Sequence, residues 1–113
     1  MSARKKLREL ISRKGYTIVP GAYDPLMARL VQLAGFEAVY ITGGGISRSQ
    51  CYPDFGLLTM TEIVQVLERI VDAVDIPVIA DMDTGYGNAI NALRAMKEYH
   101  RAGIAGFHIE DQV

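Results

Sequence analysis

The sequence predicts an α/β fold in which parallel strands alternate with helices. Three observations carry that prediction. Segments with apolar residues at helical spacing alternate with short β-branched or aromatic runs. Those runs are mostly apolar throughout, which suits strands covered on both faces. Glycines and polar residues gather directly after each run. The chain has 113 residues, of which half are hydrophobic and 22% charged, so it can build one ordinary packed core and no second domain.

Each element has its own signal. Leu7, Leu10 and Ile11 share one helical face, and Gly15 follows where a C-terminal glycine cap would sit. Thr17-Ile18-Val19 reads as the first strand. Asp24-Pro25 is an N-cap followed by proline at the first helical position. Met27, Leu30, Val31 and Ala34 form the stripe of that helix, and Gly35 ends it. Ala38-Val39-Tyr40-Ile41 is the second strand. Thr59 and Glu62 form a capping box ahead of Ile63, Val66, Leu67, Ile70, Val71 and Val74, which recur at helical spacing. Pro77-Val78-Ile79-Ala80 is the third strand. A helix from about Asn88 to Ala102 turns Ala89, Leu93 and Met96 inward and is closed by Gly103, before a strand at Ala105-Gly106-Phe107-His108-Ile109. The methionines at 27, 60, 82 and 96 read as core or gap filling.

Right-handed βαβ crossovers follow from this order, and two architectures satisfy it. One is a doubly wound sheet. The other is a (β/α)₈ barrel, which needs eight strands and typically about 250 residues, so that residues 1–113 form its N-terminal half, with four strands. The final Glu110-Asp111-Gln112-Val113 stops at a strand end with no helix to cover it. The expectation is therefore a single partial domain: a half-barrel from a longer protein.

Composition narrows the function classes. Twelve Lys+Arg against thirteen Asp+Glu leave a net charge of -1, which gives no reason to expect nucleic acid or an anionic membrane as partner. No window approaches the roughly 20 apolar residues of a membrane span, and the basic Met1–Lys6 segment leads into an amphipathic stretch, unlike a secretory signal. Cys51 is the only cysteine, so there is no intrachain disulfide and no Cys-based zinc site. A soluble protein of the reducing cytoplasm is expected.

The strand ends carry the candidate chemistry. Parallel α/β folds place their sites at the carboxyl ends of the strands. Here those ends read Pro20-Gly21-Ala22-Tyr23-Asp24, Thr42-Gly43-Gly44-Gly45, Asp81-Met82-Asp83 and Glu110-Asp111. Asp81 and Asp83, two apart, point to one face of an extended strand, and His108 and Glu110 share that relation. Three converging carboxylates repel unless a cation sits among them. Hard oxygen ligands without Cys or paired His suit Mg²⁺ or Mn²⁺ rather than zinc. The alternative is that Asp81 and Asp83 cap the next helix or sit in a solvated loop.

Thr42-Gly43-Gly44-Gly45 is either a cradle of backbone N–H groups for a phosphate or carboxylate or a flexible turn. It matches neither GxGxxG nor the P-loop. His108 reads as a hydrogen-bonded core histidine ahead of a ligand, His100 as a surface or packing residue, and Cys51 as incidental. Arg48 reads as solvated ahead of a carboxylate binder.

Four blocks stand in one order: Tyr40-Ile41-Thr42-Gly43-Gly44, Pro53-Asp54-Phe55-Gly56, Asp81-Met82-Asp83-Thr84-Gly85-Tyr86-Gly87 and His108-Ile109-Glu110-Asp111-Gln112. With them the chain resembles, over nearly its whole length, the isocitrate lyase/phosphoenolpyruvate mutase superfamily. It looks most like the short members of the 2-methylisocitrate lyase, dimethylmalate lyase, oxaloacetate decarboxylase and carboxyphosphonoenolpyruvate mutase types.

The resemblance implies a Mg²⁺ site, or Mn²⁺, at Asp81, Asp83 and Glu110, with Asp54 a loop aspartate close by and Asp54 and Glu110 in catalytic roles. It implies that Tyr40, Thr42, Gly43 and Gly44, with Asp81, grip the substrate carboxylate and C2 oxygen. Many members have Ser at the place of Thr42, so the added methyl bears on which acids fit. The implied reaction breaks a C–C bond of a small 2-hydroxy or 2-oxo acid, or decarboxylates it, through an enolate that the metal stabilises. Phosphonomutase or oxaloacetate hydrolase chemistry on the same cradle and an inactive half-barrel that associates with another chain are the alternatives. The implied partners are the small carboxylic acid and further copies of the chain, in a dimer or tetramer. In family lyases a loop of the type Lys-(Lys/Arg)-Cys-Gly-His follows the HIEDQ block. The sequence ends at Val113, ahead of that loop, and Cys51 lies in a different segment. The isolated 113-residue chain is therefore expected to be inactive.

Overall fold

In the computed structural model each described helix begins at a side chain that accepts a backbone N–H. Residues 2–53 and 58–111 are described. The order is α1 (Ala3–Ser12), β1 (Gly21–Ala22), α2 (Pro25–Leu33), β2 (Val39–Ile41), α3 (Gly43–Ser49), α4 (Met60–Ala73), β3 (Val78–Asp81), α5 (Ala89–Arg101) and β4 (Gly106–His108). Ser2, Asp24, Thr42, Thr59 and Asn88 are the caps. Each satisfies a donor that the first helical turn leaves without an intrahelical partner. The Thr59–Glu62 capping box is present in full.

All strand pairs are parallel and the strand order is β1-β2-β3-β4. A doubly wound sheet reverses its order at a switch point; here each crossover steps one strand in the same direction. That is the arc of a (β/α)₈ barrel, and the N-terminal half-barrel is the architecture found.

The two faces of the arc differ. Ala22, Val39, Ile41, Val78 and Ala80 are buried beneath the helices, in one core with Ala28, Leu67, Ile70, Ala95 and Tyr99. Helix α4 packs between α2 and α5. The other face carries Tyr40, Ile79, Asp81 and His108, aligned across neighbouring strands and more open to solvent. Helix α1 crosses its amino end. A Cβ on Gly106 would lie 2.8 Å from Leu7 Cδ2, so glycine there lets Leu7 rest directly on the strand. Leu7, Leu10 and Ile11 line a cavity of about 230 Å³ with Val19, Ala38 and Ile79. The Arg4 guanidinium donates to the His100 carbonyl at 2.9 Å.

Four expectations are corrected. The run Thr17–Val19 is not a strand. Pairing begins at the Pro20 carbonyl and covers Gly21–Ala22, because the partner β2 is only three residues long and Gly21 aligns with Tyr40. Helix α3 occupies what reads as a glycine loop. Its glycines lower intrinsic propensity, but Gly44, Ile46 and Ser47 are buried and packing overrides the preference. The buried face of α5 is Ala95 and Tyr99, whereas Ala89, Leu93 and Met96 are exposed. Tyr99, one turn on from Ala95, turns that face inward by donating to the Asp81 carbonyl, and the longer apolar side chains are left on the flank. Leu30 is likewise exposed on α2, where Ala28 is the buried residue. Among the described residues no helix is long and apolar enough to cross a membrane.

Candidate active site

Strand β3 ends at Asp81 and β4 at His108, and the register aligns these two residues. Side chains at aligned positions of a parallel pair leave the same face, so both emerge on the face without helices. Glu110 follows two residues later, and its N–H donates to the Asp83 carbonyl at 2.8 Å, extending the pairing past the strand ends. His108 Nε2 lies 3.6 Å from Asp81 Oδ1 and 3.7 Å from Glu110 Oε1. One donor atom from each of Asp81, His108 and Glu110 falls within a span of 4.8 Å.

Tyr40 from β2 stacks on the His108 ring, with centroids 5.5 Å apart and planes 19° from parallel. Its hydroxyl is 3.3 Å from His108 Nδ1. Burial first, and then the charges of Asp81 and Glu110, push the Tyr40 phenol up to about 12. Tyr40 is therefore a neutral hydrogen-bond donor at physiological pH.

The amino end of α3 closes on the same carboxylate. A Cβ on Gly43 would lie 2.9 Å from Asp81 Oδ2, so a side chain there would push the carboxylate from its present place. Thr42 Oγ1 accepts the Gly45 N–H at 3.2 Å, which leaves its own proton free to donate. The Thr42 methyl lies where a Cβ on Gly45 would intrude, at 2.7 Å. Gly44 is buried in the first turn.

Asp83 is placed differently. The strand stops at Asp81, so the two-residue alternation does not reach Asp83. Its N–H donates to Asp81 Oδ1 at 2.8 Å, and its φ of +53° is left-handed. Its side chain is exposed and stands outside the three-residue donor group. Its charge acts on the phenols of Tyr86 and Tyr99. Asp54 lies outside the described residues.

His108 is not a core histidine. Its side chain is 43% exposed at the carboxyl end of β4. Its two-residue spacing from Glu110 was the available sign that it belongs with the carboxylates. Tyr99, fully buried on α5, had no such sign. Its hydroxyl donates to the Asp81 carbonyl at 2.9 Å. His100, Cys51 and Arg48 are exposed.

The donor set fits a divalent cation. Two carboxylates held this close repel each other, and a cation between them removes that repulsion. Carboxylate oxygens suit Mg²⁺ and Mn²⁺, and an imidazole is compatible with the softer of the two.

A consecutively ordered parallel sheet with its ionisable cluster at the strand carboxyl ends defines the chain as part of a (β/α)₈-barrel protein with its site in the usual place for that fold. Residues 7–113 match the phosphoenolpyruvate phosphomutase family, and the chain belongs to that family, within the isocitrate lyase/phosphoenolpyruvate mutase superfamily. It is 50% identical to the 2,3-dimethylmalate lyase of Eubacterium barkeri over its full length, spanning 39% of that protein. The crystal structure of phosphoenolpyruvate phosphomutase from Streptomyces platensis subsp. rosaceus superimposes with a TM-score of 0.92 at 45% identity, over 96% of this chain and 38% of that one. A phosphonopyruvate hydrolase solved with oxalate and Mg²⁺ superimposes with a TM-score of 0.92 at 35% identity, over 100% of this chain and 40% of that one. The chain thus spans about two-fifths of the length of such relatives, which include a lyase, a mutase and a hydrolase.

Proposed function

We propose that this chain carries the metal- and carboxylate-binding part of a carbon–carbon lyase. The lyase would cleave a small 2-hydroxy acid, or decarboxylate a 2-oxo acid, in the manner of the dimethylmalate and 2-methylisocitrate lyases. The observation that supports this best is the grouping of Asp81, His108 and Glu110 donor atoms within 4.8 Å, beside the Gly43 backbone and Tyr40. Asp81 and Glu110, with Asp83 from the turn after β3, would hold Mg²⁺ or Mn²⁺. A bound metal ion supplies Lewis acidity where negative charge builds on the C2 oxygen as the bond breaks.

The chain's own residues do the rest. Tyr40 keeps its proton and donates to the substrate carboxylate. The Thr42 hydroxyl, capping α3 through its lone pair, turns its proton toward the acid. Gly43 and Gly44 admit the acid close to the backbone because no side chain is in the way. Glu110 and Asp54 are the carboxylates proposed to act beside the reacting atoms.

Titration calorimetry with Mn²⁺ and oxalate tests this reading. Each ligand should strengthen the binding of the other, and Asp81→Ala should abolish the effect in a protein that remains folded. Oxalate binding that is indifferent to the metal, or unchanged in Asp81→Ala, would remove the site. Products formed from a panel of 2-hydroxy acids, oxaloacetate and phosphonopyruvate would then separate lyase from decarboxylase, mutase and hydrolase.

A further inference from the structure

We infer that Tyr99 is a positioning residue for the metal site, and that Tyr86 acts through it, the two hydroxyls forming a clip that holds the Asp81 end of β3 against α5. This rests on the metal reading above.

Hydrogen-bond arithmetic fixes the direction of the clip. Tyr99 Oη is 2.9 Å from the Asp81 carbonyl oxygen, and a carbonyl only accepts, so Tyr99 donates there. A phenol has a single proton. In the 3.0 Å contact between Tyr86 and Tyr99, Tyr86 must therefore be the donor. The chain of donation runs Tyr86 to Tyr99 to the backbone of Asp81. Each bond polarises the next in a setting of low dielectric.

The clip spans the turn that follows β3. Asp81 opens this turn and Tyr86 lies near its end, and both are tied to one residue on a helix. The backbone between them is strained, with φ of +53° at Asp83 and +62° at Tyr86. Neither residue is a glycine, and such conformations persist only where surrounding contacts hold them. Tyr99 is itself held rigid. It is 0% exposed and meets Phe107 of β4 edge-on at 6.5 Å, so it touches both strands that supply the metal donors.

Removing this hydroxyl leaves the Asp81 carbonyl without that donor and loosens the carboxylate of the same residue, three bonds from the carbonyl carbon. Hydrogen-bonded supports of metal ligands typically matter by about 10- to 100-fold in affinity, and one acting through a backbone carbonyl belongs at the low end. The test measures Mn²⁺ affinity and the Mn²⁺ EPR line shape. The proteins are wild type, Tyr99→Phe, Tyr86→Phe, the double variant and two controls. Ile70→Val is a buried change that touches no hydroxyl, and Asp81→Asn removes a ligand charge.

Tyr99→Phe should bind Mn²⁺ about tenfold more weakly with a broadened spectrum, and Tyr86→Phe about threefold more weakly. The double variant should be no worse than Tyr99→Phe, since Tyr86 acts only through Tyr99. Ile70→Val should match wild type. Wild-type affinity in Tyr99→Phe would overturn the inference, as would an equal loss in Ile70→Val, because the effect would then be one of general stability. If Tyr99→Phe does not fold, Tyr86→Phe decides alone, and unchanged Mn²⁺ affinity there overturns the clip. A failure of the metal reading looks different: wild type shows no saturable Mn²⁺ binding, or Asp81→Asn binds like wild type, and the inference falls with it.

Discussion

The two ends of this sheet are built on opposite principles. At the amino end, Leu7 lies on Gly106, Ala38 and Pro77 are buried, and the contacts are apolar. At the carboxyl end, Asp81, His108 and Glu110 crowd within 4.8 Å while partly open to water, above a turn with left-handed residues. One end supplies cohesion; the other holds like charges together at a cost in stability. Strained backbone and mutually repelling groups persist where the rest of the fold over-determines them, and here the packed layers beneath do so.

This division predicts that changes at the two ends separate stability from binding. The largest effect on folding belongs to Ile70→Ala beneath the sheet, at 0% exposure. It should cost about 2–5 kcal/mol in urea unfolding, with Mn²⁺ affinity of the folded fraction unchanged. Asp81→Asn should do the reverse. Its retained oxygen still accepts the Asp83 N–H, and a like-charge repulsion is relieved, so stability should hold or rise while Mn²⁺ affinity falls more than about a hundredfold. A stability loss in Asp81→Asn as large as that in Ile70→Ala would show that the carboxyl end is structural after all.

Thr42→Val sits between these. Losing the cap on Gly45 should cost about 1 kcal/mol, and oxalate should bind more weakly because a donor proton is gone. Unchanged oxalate affinity would confine Thr42 to its capping role.

The smallest effect concerns pH. The folded-state pKa of Tyr40, about 12, lies above the ordinary phenol value of 10.0. Its contribution to stability is therefore fully present below pH 10 and is lost as pH rises through about 12. Spectrophotometric titration should show one phenol ionising late. Asp81→Asn should bring that midpoint down without returning it to the ordinary value, since burial is the larger cause. An unmoved midpoint would mean that the charge of Asp81 does not reach Tyr40.

Much of this was legible in the residues. The caps Asp24, Thr59 and Asn88 announce their helices because capping is local chemistry. The strand-end positions of Asp81 and Glu110 follow from runs of apolar residues that stop where polar ones begin. What stayed hidden depends on the partner rather than the segment. The extent of β1 is set by what β2 can pair with. The buried face of α5 is set by Tyr99, whose hydroxyl reaches the Asp81 carbonyl, so counting large apolar residues picks the wrong side. Helix α3 contradicts its own glycine content and makes sense only with Asp81 and Tyr23 pressed against Gly43 and Gly45. The strand-alternation argument does not extend to Asp83, because β3 ends at Asp81 and Asp83 lies in the turn after it.

Helix α1 has a consequence for the order of assembly. It is ten residues long, too short to persist alone in water, and its fastening at His100 lies 96 residues downstream of Arg4. During synthesis it emerges from the ribosome long before its seat exists. It must wait, frayed, until α5 and β4 have been made and set in place. Closing the floor of the arc is thus a late event in folding, and the amides of α1 should be among the first to exchange with deuterium.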